Sequence, residues 1–269
     1  MKRTQRVGAI VHILSQNPSR LFPLAYFGKQ FQCAKSSISE DAALARQAIE
    51  ETGLGRIETV AGARGGLRYI PAISEEEAVR FSERLCGILN DRERILGSGF
   101  LYTSDVMFDP RLMKSAARIF AGKFAGAGGD YVVTVETKGI PVALMTAELL
   151  RLPLVVIRRE SKISEGSTVS INYVSGSTGR VQKMSLAKRA VRAGGKAIII
   201  DDFMRAGGSI KGIMDMMREF EVDVVGTGVV IAAKEPEQKK VRDYFPLLYL
   251  GRVDEETGIV EIERNEALF

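Results

Sequence analysis

One histidine and two cysteines are all that this 269-residue chain offers of the side chains that most often bind transition metals or act as nucleophiles. Cys33 and Cys86 stand far apart with no CxxC pair, which excludes zinc fingers and disulfide frameworks. A single histidine leaves most Ser-His and Cys-His chemistry without its base. His12 falls among Val7, Ile10, Val11 and Leu14, a packed or surface position rather than a ligand. No window approaches the run of about 18 apolar residues that a membrane span needs. The start, MKRTQRVGAIVHIL, turns from basic to apolar as a leader does. However, Ser15, Gln16 and Asn17 break the run and no small-residue cleavage site follows, so a cytoplasmic protein is expected. Flexible Gly/Ser linkers, internal repeats and low-complexity runs are missing too. No metal site and no catalytic residue is assigned.

What is present is enough chain for two domains, 45% hydrophobic and 26% charged, as in ordinary globular proteins. The charge is unevenly placed. Residues 1–74 hold ten lysines and arginines against five acids, which accounts for the whole net charge of +5. A basic module on a neutral body suggests a polyanion partner, although a solvated basic face would read the same. The spacing predicts a helix from Arg6 to Gln16, stopped by Asn17-Pro18, and a second from Leu24 to Phe31. A third starts at the capping box Ser37-x-x-Glu40, carries Ile38, Ala42, Ala45 and Ile49 on one face, and is closed by Gly53. Strands at Arg56–Val60 and Leu67–Ile70 flank a glycine-rich loop with Arg64 at its tip. Three helices and a hairpin make the order of a winged helix, whose third helix enters the DNA major groove. The expected domains are residues 1–74, a winged helix-turn-helix, and 75–269, joined by a helix capped at Ser74.

From Phe100 onward strand and helix alternate: strands near Phe100–Tyr102, Tyr131–Val135, Leu154–Arg159, Lys196–Asp201, Asp223–Ala232 and Leu247–Leu250, and helices at Pro110–Ala125, Pro141–Leu150, Ser185–Ala193 and Ser209–Phe220. Continuous apolar strands between helices predict an α/β fold with a parallel sheet covered on both faces, its ligand at the strands' carboxyl ends. At that place stands AIIIDDFMRAGGS. Asp201 and Asp202 suit two sugar hydroxyls. The turn of Arg205, Ala206, Gly207, Gly208 and Ser209 into a helix N-terminus suits a phosphate. Phe203 and Met204, between acids and turn, are included in the site, as is Tyr102. Thr137, Lys138 and Gly139 follow another strand end; they suit a diphosphate, or form an ordinary turn. Arg158, Arg159 and Lys162 lead into a long Ser/Gly-rich loop with a strand at Val169–Val174, and loops of that length are usually functional or disordered.

The segment from Ala197 to Ser209 resembles the phosphoribosyl-binding signature of the type I phosphoribosyltransferases, with Ala206 where a threonine is usual. TKGIP resembles their diphosphate loop, and residues 160–184 their mobile loop. The whole order, with CAKSSISEDAA, TKGIP, EGSTVSINYVSGS, MSLAKR and IIIDDFMRAGGS, resembles the pur operon repressors of Gram-positive bacteria. That resemblance implies a homodimer that binds duplex DNA at purine-synthesis genes and performs no phosphoribosyl transfer. It implies release by phosphoribosyl diphosphate with Mg2+ at the Asp201–Ser209 motif, with guanosine tetraphosphate and related purine nucleotides as competing effectors.

At the DNA end, Lys35, Ser36, Ser37 and Ser39 open the third helix, Arg64 tips the wing, and Lys2, Arg3 and Arg6 add phosphate contacts. Ser37 serves equally as a cap, and Arg64 equally as a surface residue. Two other functions fit the same chain: an active purine phosphoribosyltransferase, or an RNA-binding regulator. Residues 1–74 lack an aromatic platform for stacking single-stranded bases, which favours duplex DNA over RNA.

Overall fold

A computed structural model describes the chain apart from residues 54, 63, 161, 162, 176–178 and 269. Helix α1 (Arg3–Ser15) begins three residues before the expected start and turns through Pro18 into a two-residue strand β1 (Leu21–Phe22), followed by α2 (Leu24–Phe31). Gln32 closes α2 in the left-handed conformation, leaving only Cys33 and Ala34 before α3 (Lys35–Glu51). That short connection starts α3 two residues ahead of Ser37. The residue at the N-cap is Ala34, and Ser37-x-x-Glu40 is not a capping box, because Ile38 N–H already bonds the Ala34 carbonyl. Beyond Gly53, at φ +65°, strands β2 (Arg56–Val60) and β3 (Gly66–Ile70) form the wing. β3 pairs with β2 on one side and with β1 on the other, so the sheet has a third strand too short to be read from sequence. Ile10, Leu14, Phe27, Ile38 and Ala45 are fully buried in a core drawn only from this module. Each large side chain buried this way stabilises by about 1.5–3 kcal/mol.

Ser74 caps α4 (Glu75–Leu89), its hydroxyl accepting from Glu77 N–H at 3.2 Å. The helix packs onto the body, whose cores begin at Ile73. A hairpin of β4 (Ile95–Gly97) and β5 (Phe100–Leu101), the short α5 (Ser104–Met107), and α6 (Pro110–Phe124) come next, α6 capped by Asp109. Then follow β6 (Tyr131–Val135), α7 (Ile140–Leu150), β7 (Leu154–Ile157), the hairpin β8 (Thr168–Val174) and β9 (Val181–Ala187), β10 (Lys196–Met204), α8 (Gly208–Glu219), β11 (Asp223–Ala233), β12 (Phe245–Asp254) and β13 (Ile259–Arg264). Six strands form one sheet in the order β13-β12-β11-β10-β6-β7, parallel except for β13. The central strands β6 and β10 carry long apolar runs because both faces are covered. Val132, Ile198 and Ile200 face the core under α4, α6 and α7, while Val133, Ala197 and Ile199 face the core under α8 and the β8–β9 hairpin.

The expected helix at Ser185–Ala193 is a correction. Residues 181–187 are strand β9, paired residue for residue with β8 from Thr168↔Ala187 to Val174↔Val181. MSLAKRA favours a helix locally. Cross-strand pairing, the Ser170–Ser185 hydroxyl bond of 2.8 Å and burial of Met184 and Leu186 override that preference. The last parallel strand is also longer than Leu247–Leu250, and the antiparallel β13 closes the sheet's edge.

Candidate functional site

The parallel strands β6 and β10 run side by side in register, Ile199 opposite Val133, so their carboxyl ends open onto one place. Asp201 is buried there, with Oδ1 accepting from the Asp202 N–H at 3.0 Å. Burial pushes both carboxyls up from the ordinary aspartate range, and for Asp201 the neighbouring charge of Asp202 adds to it. Arg159 opposes the rise at Asp201, and Lys138 opposes it at Asp202. Hydrogen-bond donors brought to this pair would favour its charged form.

Gly139 explains how the second loop comes so close. A Cβ at this position would collide with Asp201 Oδ1 and Thr134 Oγ1. Thr134 Oγ1, on β6, is buried without a hydrogen-bond partner beneath the same loop. Lys138 reaches Thr103 Oγ1 at 3.3 Å, and Thr137 is exposed, joined to Glu136 by a cis peptide. On the other side Gly207 takes φ +78° at the N-cap of α8, a conformation that favours glycine. The first N–H groups of α8, from Gly208 and Ser209 onward, have no partner within the helix, the arrangement that suits an anion. The Ala206 carbonyl accepts from Lys240 N–H at 2.9 Å, which fixes the turn, and Arg205 is exposed beside it. Beside these loops lies a cavity of about 290 Å³, lined by Phe100, Leu101, Phe203, Ile231 and Leu250 together with Lys138, Asp202 and Arg205.

The structure thus gathers Asp201, Asp202, Phe203, Arg205 to Ser209, Lys138 and Gly139. Met204 is a correction: it is buried in the core with Val133 and Ile213, on the far side of the strand from the site. Tyr102 is exposed, while its neighbours Leu101 and Thr103 line the cavity. Arg158 bonds Glu165 at 3.0 Å and Glu136 at 3.5 Å, holding the strand end rather than standing free. Lys162 lies outside the described residues. Sequence reasoning missed Thr103 and Thr134. The single polar residue in the apolar strand YVVTV was the available signal for Thr134.

On the opposite module, α3 turns Ile38, Ala42, Ala45 and Ile49 inward and leaves Lys35, Ser36 and Ser39 exposed, with Ser37 partly covered. Arg46 holds the wing against α3, its Nε donating to the Ile57 carbonyl at 2.9 Å. Arg64 and Lys2 are exposed. Arg6 and Arg3 are engaged instead with the buried Asp41, at 2.6 Å and 3.3 Å, and Arg3 also with Glu40. Arg6 therefore ties α1 to α3, and its charge is already spent on Asp41. The outward face of α3 with the wing beside it is the shape that fits a DNA major groove.

A family profile described as bacterial purine repressor, N-terminal, matches residues 2–71, and one described as phosphoribosyl transferase domain matches residues 107–254. The purine biosynthesis transcriptional repressor PurR of Bacillus subtilis is 41% identical over 99% of this chain and 94% of its own length. A probable purine biosynthesis transcriptional regulator of Streptococcus pneumoniae is 40% identical over 98% of this chain and 96% of its own. Among solved structures, adenine phosphoribosyltransferase from Thermoanaerobacter pseudethanolicus superposes with a TM-score of 0.53 at 19% identity. It covers 62% of this chain and 98% of that one, a likeness of fold.

Proposed function

The chain belongs to the family of bacterial purine-biosynthesis transcriptional repressors, and on that premise we propose that it represses purine-synthesis genes and leaves duplex DNA when phosphoribosyl diphosphate occupies the site at Asp201–Ser209. The observation that carries this is the acid pair, Asp201 buried and Asp202 half-buried, set between the Lys138-Gly139 loop and the Gly207–Ser209 helix start, two backbone turns suited to anions. Asp201 and Asp202 accept from the ribose hydroxyls, the α8 N-terminus takes the 5-phosphate, and Lys138 takes the diphosphate. Mg2+ comes with the diphosphate of the ligand, since this ion is usually held by substrate phosphates and one or two carboxylates. The apolar cavity next to Asp202 and Arg205 offers room for a heterocyclic base, which supports purine nucleotides such as guanosine tetraphosphate as competitors. α3 and the wing bind duplex DNA, and a homodimer matches two half-sites.

We further propose that the protein regulates without transferring a phosphoribosyl group. Both proposals are tested together. A duplex from a purine-operon control region is bound to the protein and titrated with phosphoribosyl diphosphate and Mg2+. Release by wild type and retention by Asp202→Ala, with equal DNA affinity before ligand is added, is the expected result. Loss of hydrogen bonds to a charged group weakens ligand binding by roughly 10–100-fold. Release of DNA from the variant at the wild-type concentration would contradict the site, and nucleotide formed at enzymatic rates from added purine bases would contradict the regulator-only role.

A further inference from the structure

Among the described residues, polar ties at Ser19 and at Arg118 join the DNA-binding module to the body, and both land on one pair of helices. The first is Ser19, in the turn after α1. Its N–H donates to the Tyr69 carbonyl of β3 at 2.7 Å, and its hydroxyl donates to the Leu149 carbonyl in the last turn of α7 at 2.9 Å. Ser19 sits at φ +61°, a conformation that residues with a side chain seldom take, so the turn presents the hydroxyl in a fixed direction. Leu149 contributes one of the helix-end carbonyls that lack an intrahelical partner. The second tie is Arg118 of α6, whose side chain is only 14% exposed. It donates to the Gly53 carbonyl just past the end of α3 at 3.2 Å, to Ala72 at 2.8 Å, and to Glu77 at 2.7 Å.

α6 and α7 pack through small buried side chains, among them Ala116, Ala143 and Ala147, which bring the two backbones close and make them move together. The other end of α7 starts at Gly139, the residue whose missing side chain lets Asp201 and Thr134 close on the loop. A helix of 11 residues, about 16 Å long, thus runs from the diphosphate loop to Ser19.

We propose that α7, backed by α6, carries occupancy of the Thr137–Gly139 loop to the recognition helix, with Ser19 and Arg118 as the positioning residues that read it out. This inference rests on the function proposed above. A ligand drawing the loop onto its phosphates shifts a stiff helix along its length. The far end of that helix holds the DNA module by one hydroxyl, while its packing partner holds the end of α3 by one guanidinium. Two discrete settings of these bonds suffice to change the angle at which α3 is offered to DNA.

The test is the ratio of DNA dissociation constants with and without phosphoribosyl diphosphate and Mg2+, measured by anisotropy on the full chain. Wild type is expected to show a ratio above about tenfold. Ser19→Ala is expected to bind DNA alone, and ligand alone, within about twofold of wild type, yet to show a ratio at least threefold smaller. Arg118→Lys falls in the same direction. Variants that keep the full wild-type ratio overturn the inference while leaving the proposed function standing. Variants that weaken DNA binding equally with and without ligand overturn it as well, since that is what a merely structural contact does. A wild-type ratio of one overturns both.

Discussion

Asp201 occupies a place that the fold alone would fill better with a neutral side chain. Burial and the adjacent Asp202 raise its pKa well above the ordinary 3.8. A carboxyl whose folded pKa lies above its unfolded value contributes nothing adverse below about pH 3.8. Its penalty grows as pH rises from there to the folded pKa and is then constant. Asp201→Asn keeps the Oδ1 that accepts from Asp202 N–H while removing the charge. It is therefore expected to raise Tm at neutral pH, by about 2–4 °C for each kcal/mol recovered in a chain of this size. The gain should fade toward pH 3.8, and ligand affinity should drop. Melting curves across pH check this, and a variant less stable than wild type at pH 7, or a gain that grows on acidification, would contradict the assignment. The acid pair and the glycine turn were legible in the sequence because they lie in one short string between Ala197 and Ser209. Thr134 and the demand for glycine at 139 were not, because they arise where β6 and β10, distant in sequence, converge.

Among the elements, the wing makes the most direct claim on a partner. Arg64 is exposed at its tip, while Arg3 and Arg6 are paired with Asp41. Arg64→Ala is accordingly expected to weaken binding to specific and non-specific duplexes alike and to reduce the slope of log K against log salt by about 1. Arg6→Ala, by contrast, is expected to act chiefly on stability, leaving Asp41 buried without its nearest cation. Salt titrations and melting curves on the two variants separate these effects, and a lower salt slope in Arg6→Ala with unchanged Tm would reverse the roles. Helix α2 was readable to the residue, and the helices α6, α7 and α8 to within a residue at either end, while α1 begins three residues ahead of its expected start. Elements that exist through pairing were not so readable. β1 is two residues long, and β9 carries helix-forming residues that β8 and the backbone of Arg158 hold extended.

At the scale of the whole molecule, the two modules bury separate cores and, among the described residues, polar ties at Ser19 and Arg118 join them, which suits the proposed coupling of two binding events. Linkage then imposes a symmetry that no single variant tests. If phosphoribosyl diphosphate lowers DNA affinity by some factor, saturating duplex must lower affinity for phosphoribosyl diphosphate by the same factor, at one fixed Mg2+ concentration. Calorimetric titration of the ligand into free protein and into the protein–duplex complex should therefore give two constants whose ratio equals that of the DNA constants measured with and without ligand. Equality requires that the ligand be bound and returned unchanged. With a purine base added as acceptor, a site that transferred the phosphoribosyl group to it would release diphosphate and drain the equilibrium, and the apparent factors would diverge with time. Matching factors that stay constant over hours with the base present would mark a sensor in which the acid pair grips a sugar phosphate without breaking it. Factors that drift as ligand disappears would assign the same loops to catalysis.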